Sequence, residues 1–325
     1  VAHAYASAMR ALVSVVSLFF LGIQAHSDWS YSGDDGVGES QWSEQYPSCG
    51  GERQSPIDVK TEEVMFNPSL KPLSLVNYEK ENLEFTMTNN GHTVSIDLPP
   101  SMYLETSDGT EFISKAFHFH WGGRDWELSG SEHTIDGIRS IMEAHFVHFN
   151  KEYGTYENAK DQKNGLAVLA VLFKIDEYAE NTYYSDIISA LKNIEKPGET
   201  TTLKDTTIRN LLPKDVHHYY TYPGSLTTPP CTENVQWFVL RDKVTLSKAQ
   251  VVTIENSVMD HNNNTIQNGY RSTQPNNHRV VEANFLNVPD MYSSYHLYLK
   301  NMQKEILQPK KQKKTKKNRH FWSRK

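Results

Sequence analysis

The residues with the clearest chemical potential are histidines. In AFHFHWGG, residues 116 to 123, His118 and His120 stand one residue apart between aromatic side chains. Alternate side chains of a strand share a face. Both imidazoles therefore point the same way and can converge on one metal ion, with Phe117, Phe119 and Trp121 packing behind them. Alone, H-x-H marks surface or core histidines more often than a metal site. A second stretch, MEAHFVHFN at 142–150, shifts that balance. His145 and His148 fall on opposite faces of a strand, so only one can join the pair. Glu143, His145 and Val147 share a face, and a metal-bound histidine usually donates its other ring N–H to a carboxylate or carbonyl. Glu143 is the candidate acceptor for His145, and His148 is left as a core histidine. Three neutral imidazoles suit zinc and leave a fourth tetrahedral position open for water, the pattern of a catalytic site.

Short strands must position these groups. LEFTM alternates at Leu83, Phe85 and Met87, and VSIDL at Val94, Ile96 and Leu98. Between them Asn90-Gly91 predicts a hairpin turn, because both residues tolerate positive φ. GLAVLAVLFKI is apolar without a break and predicts a central strand buried on both faces; VQWFVL is another strand. Helices are few. Ser185 is the expected cap of DIISALKNI, and Ser247 the expected cap of KAQVVTIENSV. Residues 28–56 form an aperiodic segment draped over the core, and no linker divides residues 28–290, so one large β-rich domain is expected.

The chain ends read differently. Arg10 precedes the apolar run ALVSVVSLFFLGIQA, with Ala25 near a plausible cleavage point. Residues 1–25 are read as a secretory signal with upstream residues; a spanning helix needs about 20 apolar residues, and polar sequence resumes at Gln24. Residues 291–309 carry Tyr295, Leu299, Met302 and Ile306 at helical spacing. Residues 310–325 hold nine Lys or Arg and no acid, so residues 1–309 carry −15 of an overall −6. This basic tail is expected to be disordered, with a polyanion or membrane surface as its potential contact. No nucleic-acid partner is expected. In an exported chain the two cysteines, Cys49 and Cys231, point to one disulfide, two unrelated buried thiols being the alternative. Asn263-Asn264-Thr265 is the sole glycosylation sequon.

The blocks QSPIDV, NNGH, FHFHWG, GSEHT, EAHFVHFN, GLAVLAV, YPGSLTTPPC and NHRVVEANF stand in an order and spacing that resemble the α-class carbonic anhydrases over nearly all of residues 28–290. The resemblance implies a mainly β (α+β) domain around a large twisted, mostly antiparallel sheet with a few peripheral short helices. It implies reversible hydration of carbon dioxide to bicarbonate and a proton, outside the cell, with hydroxide formed at zinc as the nucleophile. Zinc lowers the pKa of a bound water to near 7, and carbonic anhydrase is the standard example of that effect.

Position by position, the resemblance makes His118, His120 and His145 the zinc ligands. Thr227 corresponds to the threonine that donates to a buried glutamate, here Glu132, and orients the nucleophile. His92 corresponds to the proton shuttle, and Tyr31 and Asn90 to residues that order a water chain. Val147, Val168, Leu226 and Trp237 correspond to the apolar wall that holds carbon dioxide, and Thr228 to a bicarbonate contact. Cys49 and Cys231 correspond to the disulfide of extracellular members. Two positions depart from the family pattern. Ala116 stands where relatives usually place a glutamine that accepts from the first zinc histidine, and Ser95 stands at a water-ordering amide. The rival reading is a catalytically silent carbonic anhydrase-like binding module, which the intact histidines, Thr227 and Glu132 argue against.

Overall fold

A computed structural model describes residues 29–33, 36–123 and 130–286. The expected signal, the amphipathic helix at 291–309 and the basic tail lie outside these residues.

The hairpin forms from Phe85–Asn89 and Val94–Asp97, antiparallel, with Phe85, Met87, Val94 and Ile96 buried. Its turn differs from the expectation. Only Gly91 of the pair takes a positive φ, of 88°. Asn90 instead turns its side-chain carbonyl back onto the N–H groups of His92 (2.9 Å) and Thr93 (2.8 Å), a local bond that competes with the two-residue turn. His92 therefore sits in a loop rather than beginning a strand.

From the hairpin a 13-stranded sheet continues through Glu111–Trp121, Met142–Asn150, Leu166–Asp176, Val235–Leu240 and Tyr219–Gly224 in that spatial order. These contacts are antiparallel except that Leu166–Asp176 meets Val235–Leu240 in parallel. Leu166 to Phe173 are all buried, as a central strand covered on both faces requires.

Register places the histidines. Ser95, His118, His145 and Ala170 lie opposite one another across four strands. One step along, Asp97, Ala116, Val147, Val168, Trp237 and Tyr222 form a second row. The irregularity in pairing falls beyond Val147, where His148 meets Ser114, so the site rows stay in phase. Phe117, Phe119, Trp121 and Phe146 join one apolar cluster behind the sheet. Val147, Val168, Leu226 and Trp237 join the cluster on the other face.

Two helix starts show how local chemistry decides a boundary. Ser247 caps Lys248–Glu255 through a reciprocal box with Gln250. Ser185, in contrast, is the first residue of Ser185–Ala190 and caps nothing. A 3-10 turn, Thr182–Tyr184, runs directly into that helix, and Asn181 supplies the cap to Tyr183 N–H. The N-terminal segment packs Trp42 against Cys49 and Cys231, with Trp29, Tyr31 and Tyr46 around them. The disulfide between Cys49 and Cys231 spans 182 positions.

Candidate metal centre

Ligand nitrogens of His118, His120 and His145 lie within 4.8 Å of one another. The His118 ring meets His120 and His145 edge to face, centroids 5.1 and 5.4 Å apart, and His120 and His145 are tilted at 52° with centroids 4.5 Å apart. Burial lowers the pKa of all three, His120 to about 4 and His118 well below the usual range. Neutral imidazoles with free lone pairs are what a metal needs.

Support for the three rings is unequal. His145 Nε2–H donates to Glu143 Oε1 (2.7 Å), leaving Nδ1 for the centre. His120 Nδ1–H donates to the Gly269 carbonyl (2.8 Å), and its buried Nε2 has no hydrogen-bond partner among the described residues. A buried, unpaired ring nitrogen is costly unless something binds it, so the donor set fits a metal ion. No described residue offers the His118 ring an oriented acceptor, and the methyl side chain of Ala116, on the same face, carries no polar atom to do so.

A second group, His133, Glu143 and His145, also has ligand-like spacing. The polar atoms of its Glu143 and His133 are already satisfied. Glu143 Oε1 accepts from His133 Nδ1–H (2.6 Å) as well as from His145, and Oε2 accepts from the N–H groups of Glu132 (2.9 Å) and His133 (2.7 Å). His133 Nε2 bonds with the Tyr222 hydroxyl (2.7 Å). Burial alone would raise the Glu143 carboxyl, but His133 and His145 outweigh it and hold it well below the carboxylate range.

Glu132 is fully buried. Its Oε1 accepts the Arg271 backbone N–H (2.8 Å) and lies 3.5 Å from His120 Nδ1; Oε2 lies 3.8 Å from His145 Nδ1. Burial pushes its carboxyl up to about 7; His145, the Thr227 hydroxyl and the Arg271 N–H oppose that rise, and Glu143 adds to it. Among the described residues Oε2 is left without a well-formed hydrogen bond. Arg271 is anchored in turn by Gln54 Oε1, Ser55 O and Cys49 O, which ties the Glu132 carboxylate to the disulfide segment.

Of the four wall residues, Val168 and Trp237 are almost wholly buried, whereas Val147 and Leu226 keep exposed surface. The Trp237 ring packs 4.8 Å from His145, and its Nε1–H donates to Ser225 O (3.0 Å). Thr228 is half-buried, and its carbonyl accepts the Cys231 N–H.

A cavity of 720 Å³ adjoins the histidines through Gly269 and is lined by Tyr31, His92 and Tyr270, with Glu39 and Asp260. The His92 ring stacks on Trp29, centroids 4.1 Å apart and planes within 8°. Asn90 does not line this cavity; its carbonyl shapes the His92 loop instead. Asn263 is exposed, with a φ of 60° in the Asp260–Asn264 turn.

Sequence reasoning missed His133, Arg271, Gly269 and Trp29. The neighbourhood of His133 to Glu132 was the one available signal. Arg271 and Gly269 reach Glu132 and His120 through backbone atoms, which no residue type advertises.

A family model for eukaryotic-type carbonic anhydrases matches residues 37–285. The chain is 54% identical to human carbonic anhydrase 6 over 302 residues, covering 92% of this chain and 97% of that one. It is 53% identical to bovine carbonic anhydrase 6 over 300 residues (91% and 93%), and 36% identical to human carbonic anhydrase 12 over 269 residues (81% and 74%). With its mostly antiparallel sheet and histidine centre, the chain belongs to the eukaryotic-type carbonic anhydrase family and is a carbonic anhydrase.

Proposed function

We propose that this chain is a secreted zinc enzyme for reversible carbon dioxide hydration, with His118, His120 and His145 holding the metal. The observation that carries this reading is the buried His120 Nε2, unpaired and facing two other neutral imidazoles. Zinc bound there supplies Lewis-acid chemistry that ionises water near neutral pH, carbonic anhydrases being the standard example. Around it, Glu143 and Gly269 fix the tautomers of His145 and His120. Glu132 acts as the buried acceptor for the Thr227 hydroxyl, whose lone pairs then face the reacting water. Val147 and Leu226 give the uncharged substrate an apolar wall and exclude competing water, and Thr228 contacts bicarbonate. Val168 and Trp237 back that wall from within the core. His92 carries the released proton to solvent through the cavity it shares with Tyr31.

Export is supported by the apolar run at 11–25 and by the Cys49–Cys231 disulfide, since oxidising compartments favour such bonds.

Metal content of substituted proteins tests the assignment. His120→Ala should purify without stoichiometric zinc, whereas His133→Ala, in the hydrogen-bonded second group, should retain it. The reverse pattern would move the metal to His133, Glu143 and His145.

A further inference from the structure

Lys243 is a half-buried lysine that the hydration chemistry does not use. It lines a cavity of 830 Å³ together with Asn181, Tyr183, Arg209 and Lys214. Its Nζ donates to the buried Ser140 hydroxyl at 2.9 Å. Among the described residues no carboxylate pairs with this amine, and the charge that acts on it is the cation of Lys174. A partly desolvated amine beside a like charge is poorly held as ammonium; burial and Lys174 lower its pKa from the usual lysine value.

We propose that Lys243 is a carbamate site, reacting reversibly with the carbon dioxide that this enzyme handles. Once Nζ has released its third proton to water, its lone pair attacks the carbon of carbon dioxide. The N–C bond forms, one C=O π pair moves onto oxygen, and a second N–H proton leaves to solvent. The product is an anionic carbamate, with no oxidant or further co-reactant required. Its remaining N–H can keep donating to Ser140, and its charge converts the repulsion by Lys174 into attraction. Arg209 and Lys214 outnumber the one carboxylate of the cavity wall, Glu180, so the wall favours an anion on balance. Every step needs an open wall for carbon dioxide to reach the nitrogen, and the cavity provides one.

The full-length protein, equilibrated with carbon-13 bicarbonate at neutral pH, can be alkylated with triethyloxonium to trap carbamates, then digested and read by mass spectrometry. Ethylated carbamate should be found at Lys243 at a level several-fold above that at the exposed Lys115. Lys174→Glu, at an exposed position, should cut the Lys243 adduct several-fold, because a carboxylate there holds the ammonium form and repels the carbamate. Labelling of Lys243 no higher than Lys115, or undiminished in Lys174→Glu, would overturn the proposal. Hydration assayed on the same preparation separates this outcome from failure of the zinc reading.

Discussion

Glu143 Oε1 lies 2.7 Å from His145 Nε2, on the strand position two residues away, and the same oxygen accepts from His133 at 2.6 Å. One carboxylate thus sets the tautomer of a candidate ligand and ties down the segment that carries Glu132. Glu143→Gln replaces an acceptor oxygen with an NH2 group facing donors. Loss of such a partner typically lowers metal affinity about 10- to 100-fold, and the unmatched buried donors cost about 1–3 kcal/mol. Zinc competition with a chromophoric chelator and urea unfolding read the two effects separately.

The opposite substitution addresses His118. Ala116→Gln places a carboxamide on the face and strand that carry His118, where it can accept from that ring. The expected result is slower zinc loss to a chelator, by about tenfold or more, with unchanged hydration at saturating zinc. An unchanged dissociation rate would mean that the ring needs no such acceptor.

Proton export should depend on buffer. His92→Ala is expected to lose about tenfold or more of its hydration rate in weak buffer and to recover with added imidazole. Stopped-flow rates across buffer concentrations check this; an equal loss in every buffer would remove His92 from the shuttle role.

His148 predicts acid sensitivity away from the centre. Its ring is buried, with Nε2 2.5 Å from the Tyr78 hydroxyl, and burial pushes its pKa down to about 4. The unfolded chain, with histidine near 6.5, binds more protons between those values. Stability from His148 is therefore present above about pH 6.5, falls as pH drops, and is lost below about 4, a change on the order of 3 kcal/mol. Urea midpoints between pH 7 and pH 4 should fall more steeply for wild type than for His148→Gln.

The disulfide closes a loop across 182 positions, and the chain-entropy model assigns such a loop on the order of 5 kcal/mol. Cys49→Ser with Cys231→Ser should lose roughly 2–5 kcal/mol of stability in urea. Because Arg271 bonds Cys49 O and also serves Glu132, the hydration rate should fall with it.

Strand parity made much of this legible. Period-two alternation put His118 with His120 and separated His145 from His148, and the unbroken apolar run located the central strand. What alternation does not encode is backbone chemistry: the Gly269 carbonyl and the Arg271 N–H reach the site from loops with no pattern of their own. Nor does it rank competing caps, which is how Asn181 displaced Ser185, or foresee that the Asn90 side chain would reshape the turn. The place of His92 is likewise set by that loop and by stacking on Trp29.

We propose His118, His120 and His145 as the holders of the catalytic metal. Stopped-flow carbon dioxide hydration on one preparation, with zinc content measured before chelation, after it and after zinc is restored, tests this most directly. One zinc per chain is expected, with activity lost on chelation and regained on reloading. Full activity in the metal-free protein, or no hydration by a zinc-loaded sample, would contradict this assignment.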